Sequence, residues 1–187
     1  MTIRNDKELE ETVGKVNDLL QQIQAYAGRD FSKSAKIRFP RGFLRQAADQ
    51  KARFSFLTEK HLRSNLAYTV LLSDVQHWLL VRTDLSGFAR EMVLKLQFFL
   101  LGTIVESVTK AYLKGKCGGS YSKRLEFLDR HGVIDGTLRT DLNWLWDVRN
   151  RMHLFQLTDT EWASTDYTLA NYNRAVRAMR LLLTALS

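Results

Sequence analysis

Residues 88–113 read FAREMVLKLQFFLLGTIVESVTKAYL, and the helix that their spacing predicts is apolar on nearly every side. A helix without a polar face has to be covered all round, so we expect this segment to be the central, most buried element. Its longest uncharged apolar run, Leu96 to Val105, is shorter than the roughly 20 residues that a bilayer requires. We therefore expect a core helix and no membrane partner.

Helical spacing of apolar residues continues on both sides of this segment, which predicts an all-α protein. The chain of 187 residues has a single proline, Pro40, and few of its runs alternate with the period of two that strands require. We predict a single-domain bundle of about six to seven helices. The sequence shows no convincing domain boundary.

The first predicted helix carries a coiled-coil-like seam, because its apolar residues recur at alternating steps of four and three. These residues are Leu9, Val13, Val16, Leu20, Ile23 and Ala27. Packing within the domain and binding of a partner helix explain such a seam equally well. Gly28 is predicted to end this helix.

Four later helices are predicted from the same periodicity. They run from about Thr58 to Val81, from Ser86 as N-cap through the central segment, from Leu138 to about Phe155, and from about Leu169 to Leu186. A short helix with Leu125 and Leu128 facing inward is predicted before Leu138.

The composition narrows the classes of protein. A formal net charge of +8 and a pI near 9.7 favour an acidic partner such as RNA, although a basic surface also serves solubility. The single cysteine, Cys117, excludes an intramolecular disulfide framework and a cysteine-rich zinc site. The N-terminus has no signal-peptide apolar region, so we expect a cytoplasmic location.

Motifs for metal, cofactor and hydrolase chemistry are missing from the sequence. His61, His77 and His131 do not have metal-ligand spacing. The sequence GKCGGS lacks the strand-before, helix-after context of a phosphate-binding loop, and no Gly-x-Ser-x-Gly elbow occurs. We therefore expect neither a metal site nor a cofactor.

A basic segment with interleaved aromatic residues extends from Lys33 to Arg53, with seven basic residues and one acidic residue. Cations that neutralise phosphates and rings that stack on bases are features of single-stranded RNA binding. The residues expected to contact RNA are Lys33, Lys36, Arg38, Arg41 and Arg45. The alternative is a solvated loop and helix whose phenylalanines belong to the core.

A polar pair interrupts the apolar stripe of the helix predicted from Leu138 to about Phe155. Arg149 follows Leu142 and Leu145 on one stripe, and His153 lies one turn further on. A buried guanidinium costs several kcal/mol unless it is paired or reaches water. Arg149 therefore needs an acidic partner, a cleft or a subunit boundary.

The central helix offers that partner. Thr103, Glu106 and Lys110 follow one another at three and four residues and make a polar stripe on an otherwise apolar helix. A structural salt bridge between Glu106 and Arg149 is one interpretation of this pattern. A catalytic group is the other.

The order of these residues resembles HEPN domains, a family of helical bundles that includes many metal-independent endoribonucleases. The family motif, an arginine, a polar residue and then a histidine, corresponds here to Arg149, Asn150 and His153. An earlier Glu-x3-Lys corresponds to Glu106 and Lys110. The resemblance covers roughly residues 88–186, which implies a HEPN-like core over that range and an N-terminal helical extension over residues 1–85. The spacer of three residues between Arg149 and His153 is shorter than the family's usual one.

The resemblance implies RNA cleavage by attack of the 2′-hydroxyl on the adjacent phosphate. His153 would be the general acid or base, and Arg149 would hold the phosphate. Asn150 would orient either group, while Glu106 and Lys110 would position the arginine or contact the RNA backbone. Members of the family usually form this site across a homodimer interface, often as toxins or phage-defence effectors that have an antitoxin or another protein partner.

Two other classes of function remain open. One is a catalytically inactive HEPN-like module that binds RNA or a nucleotide. The other is an interaction protein whose polar pair fixes the register of a dimer. The short Arg149–His153 spacer favours these two, whereas Glu-x3-Lys and the net positive charge favour the ribonuclease.

Overall fold

The computed structural model describes residues 2–152 and 166–187, and over these residues the chain forms helices and no strands. This confirms the all-α prediction. The helices are α1 (Asp6–Ala27), α2 (Ala47–Ala52), α3 (Lys60–Arg82), α4 (Gly87–Tyr112), α5 (Tyr121–Arg130), α6 (Gly136–Asn150) and α7 (Leu169–Leu186).

The chain divides into two compact units, Met1–Pro40 and Arg41–Ser187. The first contains α1, none of whose residues is buried. The second contains α2 to α7, so α2 and α3, which were expected in an N-terminal extension, belong to the same unit as the predicted core.

Helix α4 is the central element of the second unit, as predicted from its apolar surface. It packs against α3, α5, α6 and α7, and Phe98, Ile104 and Val108 are fully buried. By length and composition alone, α4 is also long and apolar enough to cross a membrane, with half of its most apolar window buried. The four surrounding helices pack against that apolar surface and form the core with it.

Both ends of α1 follow from local sequence. The Asn5 side chain accepts a hydrogen bond from the Glu8 N–H at 2.9 Å, which caps an otherwise unpaired backbone donor. At the other end Gly28 has a φ of 55°, a conformation in which glycine avoids the strain of a Cβ atom. Gly28 therefore ends the helix where it was predicted to.

Helix α6 ends earlier than predicted, at Asn150 rather than near Phe155. The Met152 N–H bonds to the Arg149 carbonyl at 3.4 Å, a tight turn instead of a further helical repeat. Arg151 pairs with Asp166 at 2.8 Å and so links the end of α6 to the start of α7. The prediction that this helix continues through Arg151 and Met152 is therefore wrong, and His153 lies outside the described residues.

Candidate active site around Arg149

Arg149 lies in the last turn of α6 and faces Glu106 of α4. Its Nη2 is 3.3 Å from Glu106 Oε2, and its Nη1 donates to Asn150 Oδ1 at 3.0 Å. The Arg149 and Glu106 side chains are 22% and 29% exposed, so the pair is partly open to solvent. The predicted pairing of Arg149 with Glu106 is confirmed, and Asn150 completes the group.

Two aromatic rings flank the guanidinium. Its central carbon lies 5.7 Å from the Phe99 ring centroid and 5.1 Å from that of Trp146. Both distances allow cation–π attraction, which partly replaces the lost hydration of a half-buried cation. The rings and the carboxylate explain how an arginine is tolerated beside an apolar core.

The site retains polar atoms without partners. Among the described residues, Arg149 Nε and Thr103 Oγ1 are buried and have no hydrogen-bond partner. Leaving a buried donor unpaired costs about 1–3 kcal/mol. Gln76 Oε1 and Glu91 Oε2 are also buried without a partner in the described part of the chain, so this feature alone does not mark the site. Thr103 lies one turn before Glu106 on α4.

Gly102 sets how closely α4 and α6 approach at Arg149. A Cβ atom on Gly102 would lie 2.9 Å from Arg149 Cβ and 3.0 Å from its Cγ. The Arg149 side chain therefore crosses the α4 backbone where only glycine leaves room. Gly102 was missed as a site residue, although a lone glycine inside a long apolar helix is a signal for close packing.

Lys110 does not join this group. Its side chain is exposed and lines a surface depression with Glu59 and Lys114. Within the described part of the chain it has no ion pair, whereas neighbouring Lys114 lies 3.4 Å from Glu59. The expectation that Lys110 positions Arg149 is therefore not met, because Lys110 points to solvent beyond the buried part of α4.

The segment predicted to bind RNA crosses the boundary between the two units at Pro40. In the first unit Lys33, Lys36 and Arg38 are exposed, as is Arg41 at the start of the second. The Lys33 ammonium lies 5.3 Å from the Tyr26 ring centroid, a contact that leaves the cation accessible.

Arg45 is placed differently from the other four basic residues. Its Nε donates to Asp74 Oδ2 at 3.0 Å, and its Nη2 bonds to the second carboxylate oxygen. These hydrogen bonds raise the pKa of Arg45 and occupy one edge of its guanidinium. We therefore leave Arg45 out of the set expected to bind RNA.

The chemistry that the Arg149 group can perform is anion binding. A guanidinium has five N–H donors; one bonds to Asn150 and Nη2 lies 3.3 Å from Glu106, so donors remain that could bind an anion. Among the residues that the structure describes, no cluster of three or more His, Cys, Asp or Glu could hold a metal ion.

In comparisons with known proteins, no protein-family model, no curated protein and no solved structure matches the chain.

Proposed function

We propose that this protein is a metal-independent endoribonuclease of the HEPN type, acting as a toxin or phage-defence effector. The observation that supports the proposal is the partly exposed Glu106–Arg149 pair, with Asn150 hydrogen-bonded to the same guanidinium. Three residues of the family's motifs, from two separate helices, thus meet in one group. A structural ion pair alone would not require the adjacent asparagine.

Each motif residue has a role in the proposed reaction. The 2′-oxygen attacks phosphorus while the bond to the 5′-oxygen breaks, leaving a 2′,3′-cyclic phosphate and a 5′-hydroxyl. One proton leaves the 2′-hydroxyl and one reaches the departing oxygen, and His153 is the residue of suitable pKa for either transfer. Arg149 stabilises the charge on the phosphorane, and Glu106 holds Arg149 in place.

The test is incubation of the purified full chain with an end-labelled single-stranded RNA in EDTA. We expect cleavage, with products that carry 2′,3′-cyclic phosphate ends and resist ligation at that end until the cyclic phosphate is removed. Cleavage that stops in EDTA, or products with 3′-hydroxyl ends, would contradict the proposed chemistry.

A second candidate function is RNA binding without cleavage. The observation that favours it is the set of internal contacts of Arg149, which include Glu106, Asn150, Phe99 and Trp146. An arginine that contacts four other side chains fits a structural role as well as a catalytic one. RNA that binds in the same assay but stays intact would select this function.

We predict that Lys33, Lys36 and Arg38 contribute to RNA affinity through phosphate contacts. Changing all three to Gln should weaken binding and reduce the slope of log K against log salt by about 2, since each single-strand phosphate contact contributes about 0.7. The measurement is fluorescence anisotropy of a labelled RNA over a range of salt concentrations.

The control for that triple variant removes the same charge elsewhere. Lys116, Lys123 and Arg130 are exposed and lie outside the basic segment, so changing them to Gln should alter the slope far less. Equal effects of the two triple variants would mean that only net charge matters.

We predict a homodimer that pairs the α1 seams of two copies. Five apolar side chains of the seam are uncovered: Leu9 is 44% exposed, Val13 47%, Val16 47%, Leu20 39% and Ile23 49%. Their heptad spacing is self-complementary, so a second α1 would cover them. Sedimentation velocity at micromolar concentration should give the mass of two chains.

Val16→Glu places a charge in that seam and should weaken dimerisation at least about tenfold. Gln21→Glu is its control, because Gln21 lies off the seam and the variant gains the same charge. A monomeric wild-type chain, or a dimer unchanged by Val16→Glu, would contradict the α1 interface.

A further inference from the structure

A cavity of about 190 Å³ lies in the second unit, lined by residues of α3, α4, α7 and the segment around α2. Its charged and aromatic lining residues are Arg45, Arg53, Asp74, His77, Tyr172 and Arg180. Leu101 and Ile104 of α4 add an apolar part. None of these residues belongs to the Arg149 group, so the cavity is distinct from the candidate active site.

Positive charge exceeds negative charge among these residues. Three guanidinium groups line the cavity, and Asp74 is the single carboxylate among its lining residues. That carboxylate is held by Arg45, whose Nε lies 3.0 Å from Asp74 Oδ2. The cavity therefore has a surplus of about two positive charges, carried by Arg53 and Arg180.

The two surplus guanidiniums have no acidic partner among the described residues. Arg53 Nη1 donates to the neutral Gln50 Oε1 at 3.0 Å. Arg180 is exposed and makes no ion pair within that part of the chain. Burial, together with the positive charges of Arg45 and Arg180, lowers the pKa of Arg53, as expected where cations lie close together without a counter-ion.

His77 and Tyr172 add neutral polar groups to the same cavity. The Tyr172 hydroxyl lies 3.1 Å from His77 Nδ1, and the imidazole stacks on Phe43 with ring centroids 6.2 Å apart. Burial lowers the pKa of His77, which favours the neutral ring at pH 7. One N–H or O–H is used in that contact, so the pair has one donor left for a bound oxyanion: His77 Nε2–H where Tyr172 donates to Nδ1, or the Tyr172 hydroxyl where Nδ1–H donates to it.

We propose that this cavity binds a phosphate group, either inorganic phosphate or the phosphate of a small monoester. Two unneutralised guanidiniums match the double negative charge of a phosphate, and their planar forks match its oxygens. The cavity is smaller than the roughly 300–1,000 Å³ of pockets for drug-sized ligands, which favours a small anion over a large one.

The experiment is isothermal titration calorimetry of the full chain at constant ionic strength. The titrants are inorganic phosphate, ribose 5-phosphate and, as the uncharged control, ribose. We expect saturable binding of one phosphate group per chain and no heat from ribose. Tighter binding of ribose 5-phosphate would assign the site to a phosphomonoester, and equal binding would assign it to the phosphate group alone.

Variants of the two surplus arginines locate the site. Arg180→Gln and Arg53→Gln should each weaken phosphate binding about tenfold to a hundredfold, the usual worth of a charge-assisted contact. Arg180 is exposed, so its variant should keep the fold even if Arg53→Gln does not. The matched control is Arg177→Gln on the same helix, because Arg177 contacts Asp141 instead of the cavity.

Two results would overturn the proposal. One is the absence of saturable binding for both phosphate titrants. The other is an equal loss of affinity in Arg177→Gln and Arg180→Gln, which would indicate a general charge effect. No RNA is present in this experiment, so its outcome is independent of the ribonuclease test.

Discussion

His153→Ala is expected to lower the rate of metal-independent RNA cleavage by about 10²–10⁴-fold, the usual contribution of one positioned acid or base. The proposed reaction needs a group that exchanges a proton near neutral pH, and alanine removes it. The measurement is single-turnover cleavage of a labelled RNA in EDTA, with folding checked by circular dichroism. His131→Ala is the control, because His131 is exposed at the end of α5 and is not part of the motif.

Arg149→Lys should lower the rate of RNA cleavage by a similar factor in the same assay. Lysine keeps the charge but has neither the planar fork that contacts Glu106 and Asn150 nor a guanidinium face for Phe99 and Trp146. Arg151→Lys is the control, since Arg151 is a neighbouring, exposed arginine that pairs with Asp166. Full activity in His153→Ala or Arg149→Lys would refute the enzymatic proposal.

A loss of folding in Arg149→Lys would have a different meaning. It would identify the Glu106–Arg149 pair as a structural contact between α4 and α6, because removing one partner of a half-buried pair leaves the other charge uncompensated. In that case we expect the wild-type chain to bind RNA without cleaving it.

The central part of the fold was predictable because its signals are local. The apolar surface of α4 requires helices around it, and the structure places α3, α5, α6 and α7 there. Leu125 and Leu128 of α5 are fully buried, as their spacing indicated. The Glu106–Arg149 pairing was predictable for a related reason, since a charge on an apolar stripe needs an opposite charge on a facing helix.

Other features depend on contacts that the sequence does not encode locally. Helix α2 has six residues, too few for a periodic pattern to appear. The pairing of Arg45 with Asp74 joins residues 29 positions apart, and nothing near Arg45 marks it as different from Arg41. The end of α6 at Asn150 is set by the turn at Arg151 and Met152, where the apolar spacing continues.

Gly102→Val is expected to destabilise the second unit by about 1–3 kcal/mol, the usual cost of overfilling a packed interface. The new Cβ would lie 2.9 Å from Arg149 Cβ, an atom fixed to the α6 backbone that cannot rotate away. Helices α4 and α6 would therefore have to move apart. The better helix propensity of valine recovers only a few tenths of a kcal/mol. The measurement is the free energy of unfolding from urea denaturation.

Gly136→Val separates the steric effect from the loss of a glycine. Gly136 is the first residue of α6, and a Cβ atom added to it would meet nothing within 4 Å, so its variant should be nearly neutral. Because Gly102→Val also displaces Arg149 from Glu106, it should lower RNA cleavage under conditions where the variant remains folded. Stability of Gly102→Val equal to that of Gly136→Val would show that α4 and α6 are not in contact at Arg149.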